Sequence, residues 1–122
     1  MSRFQPDGRP TVTPRLFTPD VAGLTAFLKA VFDAEGELQA DIPTDLRIGD
    51  SIVMVSDGGG VREASAATLY IYVADADQTY QRALDFGARS IEPPADMPWG
   101  DRRAIVQDAW GNSWQIATHH SP

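Results

Sequence analysis

GNSWQIAT (111–118) and GDSIVMVS (49–56) read as two copies of one pattern, a glycine turn feeding a short strand. In the later copy Trp114, Ile116 and Thr118 alternate with Ser113, Gln115 and Ala117, the period of two that a strand needs to present one greasy face. Laid over each other, Ser51 meets Ser113, Val53 meets Gln115, and Ser56 meets Thr118. A second match lies upstream. Asp20 falls over Asp75 at a strand-to-helix junction, with Thr13 over Thr68, Leu16 over Ile71, and Phe17 over Tyr72. Two matches in the same order predict an internal duplication.

Working outward, residues 1–10 form a loose arm containing Pro6, Gly8 and Pro10. A single domain over 11–122 follows, with one module at 11–57, a linker at 58–65 and a second module at 66–119. In the first module, TVTPRLFT (11–18) reads as a strand, Thr18 as a helix cap with Pro19 in the first turn, and Gly36 as the stop. Leu24, Phe27, Leu28, Val31 and Phe32 share one helical face. Strands are expected at 37–40, 45–48 and 51–56. In the second module, ATLYIYV (67–73) is a strand, Asp75 caps a helix running through Phe86, and Gly87 stops it. Strands follow at 89–92, 102–107 and 113–118, with the loop PPADMPWGD (93–101) between the first two.

Composition narrows the function. Ten basic against seventeen acidic side chains leave a net charge of -7, which repels phosphate backbones and anionic lipid surfaces. Nucleic acid and membranes are therefore not expected partners. The absence of cysteine excludes disulfides, thiolate metal sites and a cysteine nucleophile. MSRFQPDGRP contains no apolar leader segment, so a cytoplasmic protein is expected. Asp20 and Asp75 are explained as helix starts rather than catalytic acids. DGGG and GVREA lack the Lys-Ser/Thr of a phosphate loop, and His119 and His120 are taken as tail residues.

Strand parity sorts the side chains into two faces. Leu16, Ile52, Met54, Leu69, Ile71, Val73, Trp114 and Ile116 form an apolar set suited to lie under the helices. Thr13, Arg15, Phe17, Ser51, Val53, Thr68, Tyr70, Tyr72, Ser113 and Gln115 form a mixed set, which suits either a pocket wall or a partly solvated surface. Trp99, on the long loop beside Arg102, reads equally as a ligand contact or a loop residue. Arg15 reads equally as a ligand contact or as one half of an ion pair.

The stretches PRLFTPDVAGLTAFLKAVFDAE (14–35), LRIGDSIVMVSD (46–57), LYIYVADAD (69–77) and WGDRRAIVQDAWGNSWQIATH (99–119), in this order, resemble the vicinal oxygen chelate superfamily of glyoxalases, bleomycin-resistance proteins and dioxygenases. That resemblance implies an α+β fold of two βαβββ modules, each curling a mixed sheet into half of a cup, and a homodimer. In metal-dependent relatives each module offers ligands from its first and last strands. Those slots fall here on Thr13, Val53, Thr68 and Gln115, which supply no imidazole or carboxylate for a dication. No metal and no cofactor are expected. The leading expectation is a small organic ligand bound as in bleomycin resistance, against Thr13, Arg15, Phe17, Val53, Thr68, Tyr70, Tyr72, Trp99, Arg102 and Gln115. The alternatives are a lyase, isomerase or dioxygenase of the same fold, and a protein-interaction module.

Overall fold

A computed structural model describes residues 4–58 and 65–120, so the interior of the expected linker lies outside the described residues. The element order is β1 (Arg15–Thr18), α1 (Val21–Phe32), β2 (Thr44–Ile48), β3 (Ser51–Asp57), β4 (Thr68–Tyr72), α2 (Ala76–Asp85), β5 (Arg89–Asp96), β6 (Asp101–Gln107) and β7 (Ser113–His119). A three-stranded sheet runs β1-β3-β2 and a four-stranded sheet runs β4-β7-β6-β5. In both, the first strand lies parallel to the last and the remaining pairings are antiparallel. The chain is α+β, and the duplicated order is present.

The first module is one strand short of the expected βαβββ. Residues 37–40 are exposed and form no ladder, and the chain just before them meets the sheet at an isolated bridge, Glu35 to Arg47. The Gln39 N–H donates to the Thr44 hydroxyl rather than to a strand carbonyl. β1 is also shorter than expected, because Pro14 has no N–H for the ladder, although its carbonyl still accepts from Met54 N. Asp20, not Thr18, caps α1: its carboxylate accepts from Gly23 N at 2.9 Å. Thr18 is buried as the last residue of β1, with its hydroxyl accepting from Asp20 N. α1 ends at Asp33 in the left-handed conformation (φ 57°), before Gly36. In the second module Asp75 caps α2 as expected, accepting from Gln78 N. Pro93 and Pro94 extend β5 rather than opening a loop. They are tolerated because β5 is a sheet edge and its register shifts on either side of Glu92.

One core serves both modules. Leu24, Phe27, Leu28 and Val31 of α1 are buried with Leu16, Leu46, Val53, Val55, Trp114 and Ile116. Each such side chain contributes about 1.5–3 kcal/mol of burial before entropy is counted. Phe32 packs on Trp114 at 5.1 Å between ring centroids, and Phe27 meets Trp110 edge-on at 6.2 Å. These contacts tie the first helix to the second sheet.

The core corrects the expected face of β3. Leu16 pairs with Val55 and Leu46 with Val53, so Val53 points under α1. Met54 lies beside Arg15 on the opposite face. The one-residue slip has a cause in the turns. Ile48 pairs with Ser51 across a two-residue Gly49-Asp50 turn, whereas Gln107 pairs with Ser113 across a longer turn. Gly49 and Gly111 are therefore not equivalent, and Met54, not Val53, is the counterpart of Gln115.

Candidate functional site

The helix-free face of the second sheet gathers Tyr70 from β4, Gln115 and His119 from β7, and Asp101, Arg103 and Ile105 from β6. The register brings them together: Tyr70 lies opposite Gln115, Gln115 opposite Ile105, and His119 opposite Asp101. Tyr72 continues the row, its ring 5.5 Å from that of Tyr70. This face is open, with Tyr70 40%, Tyr72 63% and Trp99 56% exposed. Large aromatics left in water on one side of a sheet mark a surface that binds something.

At its centre is Asp101, only 2% exposed. Its Oδ2 accepts from Tyr70 OH at 2.6 Å, Tyr72 OH at 2.9 Å and Trp99 Nε1 at 3.1 Å, and its Oδ1 lies 2.9 Å from His119 Nδ1. A carboxylate surrounded by donors is held ionised. The Tyr70 hydrogen bond, ahead of those from His119, Tyr72 and Trp99, outweighs burial and brings the Asp101 pKa from 3.8 down to about 2. The phenols respond in the opposite sense. Burial and then the bond to Asp101 raise the pKa of Tyr70, and the bond to Asp101 raises that of Tyr72. Both phenols thus stay protonated around neutrality, with their hydrogens pointed at one carboxylate.

Arg103 forms the second half of the face. It pairs with Glu92 at 2.9 Å, donates to the Gln115 carbonyl oxygen at 3.4 Å, and sets its guanidinium carbon 5.7 Å from the centre of the Trp99 ring. Gln115 is therefore the partner of an arginine. The buried Arg103 Nε has no acceptor among the described residues.

The expected site residues divide. Tyr70, Tyr72, Trp99 and Gln115 come together as described, with Thr68 at the start of the same row opposite Ser113. Arg102 does not join them. It pairs with Thr118 on the helix side and is tied to Asp77 of α2 at 2.7 Å and to Asp96 at 3.2 Å, because neighbouring strand residues point oppositely. Val53 is in the core. Thr13 is half-buried in the segment before β1. Arg15 and Phe17 occupy the first sheet, where Arg15 Nε donates to Ser56 Oγ at 2.9 Å and the guanidinium lies 4.8 Å over the Phe17 ring. Arg15 lines a hollow of about 610 Å³ walled by Pro19, Ile42 and Ser56. The tyrosines instead border a cleft of about 470 Å³ between β4 and the β2–β3 turn. The arm crosses β2 nearby: Arg9 pairs with Asp45, and Arg47 donates to the Gly8 carbonyl.

Sequence reasoning missed Asp101, Arg103 and His119. His119 is not a tail residue but the last residue of β7, and the His120 N–H donates to the Gly100 carbonyl. Once Gln115 is placed on a face, alternation along β7 puts His119 there too, and antiparallel pairing brings Asp101 opposite it. The pairing register was the absent information. The metal slots do not suit a dication: Val53 is turned away, Met54, Thr68 and Gln115 carry no charge, and Arg103 places a cation on the Gln115 oxygen. No group of three or more metal-binding side chains occurs among the described residues.

Two modules, each with its first strand parallel to its last, share one core and define a paired-module α+β fold. The chain belongs to the Glyoxalase/Bleomycin resistance protein/Dioxygenase superfamily, whose family model matches residues 11–116. An uncharacterised protein of Mycobacterium bovis is 31% identical over 127 residues, covering 88% of this chain and 82% of the relative. TioX from Micromonospora sp. ML1 superposes with a TM-score of 0.77 at 27% identity, covering 91% of this chain and 99% of TioX. FosX from Mesorhizobium loti, a fosfomycin resistance protein, shares the fold with a TM-score of 0.68 at 23% identity, covering 91% of this chain and 92% of FosX. No helix among the described residues is long and apolar enough to cross a membrane.

Proposed function

We propose that this chain binds a small, planar organic molecule on the open face of its second sheet, without metal, and sequesters it as bleomycin-resistance proteins do their ligand. The observation that carries the reading is the exposed aromatic row Tyr70, Tyr72 and Trp99, held in place by a buried carboxylate that takes a hydrogen bond from each. Rings fixed in this way bind with little loss of side-chain freedom, and the Arg103 guanidinium and Gln115 amide beside them fix orientation.

The working form is a homodimer in the cytoplasm. Arg15 and the tyrosines line separate hollows of one chain, so a second copy is what would bring the first-sheet face of one protomer over the second-sheet face of the other. An acidic chain of net charge -7 favours small molecules over nucleic acid or anionic membranes as partners. A thermal-shift screen of planar aromatic compounds tests the reading. A hit at a hundredfold its dissociation constant stabilises by about 2.7 kcal/mol, and Tyr70→Ala abolishes that shift. A hit that survives Tyr70→Ala, or stoichiometric zinc, nickel, manganese or iron in protein purified without chelators, refutes it.

A further inference from the structure

Asp101 does more than hold rings. As a carboxylate it can only accept hydrogen bonds, so the His119 Nδ1 that lies 2.9 Å from its Oδ1 must carry the proton. Neutral His119 is therefore the Nδ1–H tautomer, with the lone pair on Nε2. Its side chain is 54% exposed, so that lone pair is not sealed in the core. Among the described residues, the other acidic and hydroxyl-bearing groups beside it on this face are already engaged. The phenol hydrogens of Tyr70 and Tyr72 and the indole hydrogen of Trp99 are committed to Asp101, and Glu92 is committed to Arg103. An imidazole oriented through one nitrogen by a buried carboxylate, with the other nitrogen open beside an aromatic surface, is the arrangement that general-base chemistry needs.

We propose that His119, positioned by Asp101, is a general base that makes this face a metal-independent site for proton abstraction from a planar carbon acid. The proposal rests on the reading that the face binds a small molecule, and it adds what happens to that molecule. In the step, the C–H bond of the bound molecule breaks and its electron pair is delocalised into the adjoining unsaturated system. The proton goes to Nε2, leaving imidazolium beside carboxylate. Arg103 lies diagonally across β6 and β7 from His119, on the same face. No oxidant, reductant or further reactant is required.

5-Nitrobenzisoxazole is a suitable probe, being flat, aromatic and opened by loss of one proton. The C3–H pair forms the nitrile, the N–O bond breaks, and the phenolate oxygen keeps that bond's pair and is read by its colour. The wild-type protein should exceed free imidazole at equal concentration by at least about tenfold in second-order rate. His119→Gln, at a half-exposed strand end where folding is not at stake, should lose at least about tenfold in kcat/KM. Asp101→Asn tests the positioning role. It should lower kcat by more than it raises KM, because the imidazole loses the carboxylate oxygen that orients it while an amide oxygen can still accept from the aromatic row. A wild-type rate no better than imidazole, or a His119→Gln rate equal to wild type, overturns the proposal. A saturable KM in either case leaves the binding reading standing, whereas Tyr70→Ala with unchanged KM removes that reading and not the base.

Discussion

Trp114 joins the two modules, and its replacement has a calculable cost. The side chain is 1% exposed, packs on Phe32 of α1 at 5.1 Å, and donates from Nε1 to Asp108 Oδ2 at 2.9 Å. Asp108 is itself buried, and its remaining bonds come from the Trp110 and Asn112 backbone N–H groups and the Asn112 amide. Two substitutions separate packing from hydrogen bonding. Trp114→Phe keeps most of the ring and removes one donor from a buried carboxylate, a cost of about 1–3 kcal/mol. Trp114→Ala removes the ring as well and leaves a cavity, for about 3–5 kcal/mol in total. Domains of this kind hold about 5–15 kcal/mol, so the alanine variant loses a large fraction of its stability. With an m-value of about 2 kcal/mol/M in urea, its midpoint falls by about 2 M and that of the phenylalanine variant by about 1 M. Urea unfolding followed by circular dichroism reads both. A Trp114→Ala midpoint within about 0.3 M of wild type would refute the shared core, given the transition slope expected here.

The register of β3 is tested by a pair of substitutions. Val53→Asp should destabilise by several kcal/mol because it places a charge under α1, while Met54→Asp, on the helix-free face, should be far milder; equal effects would restore the rejected register. The depressed Asp101 pKa fixes a direction for acid stability. A folded value of about 2 against an ordinary 3.8 means that its contribution is complete above 3.8 and is lost as pH falls towards 2. Asp101→Asn should therefore show a smaller drop in urea midpoint than wild type over that interval, and an identical drop would contradict the hub. Sedimentation should give twice the 13.3 kDa chain mass; a monomer at micromolar concentration contradicts the proposed assembly.

Local signals carried most of the architecture. The aspartate at each strand-to-helix junction, the spacing of Leu24, Phe27, Leu28, Val31 and Phe32, and the alternation around Gln115 each reflect forces acting within a few residues, and all reappear in the fold. What failed depends on longer range. Val53 was placed by matching two glycines, although the two turns differ in length and only the pairing of Leu16 with Val55 sets the face. Without the register, Arg102 stands among the expected contacts although its neighbour Arg103 is the one on the open face, and residues 37–40 have strand neighbours in sequence but no ladder in space. The Asp101 cluster draws on β4, β6, β7 and the Trp99 loop, so no window along the chain contains it.

Ligand titration followed by ¹H–¹⁵N NMR addresses the open aromatic face most directly, using a planar heteroaromatic found by thermal shift. The account predicts that the Trp99 indole N–H, the Gln115 side-chain amide and the backbone amides of Tyr70 and Arg103 shift together and saturate at one concentration. Shifts confined to the Arg15 hollow, or to Phe32 and Trp114 in the cleft between the modules, would contradict it.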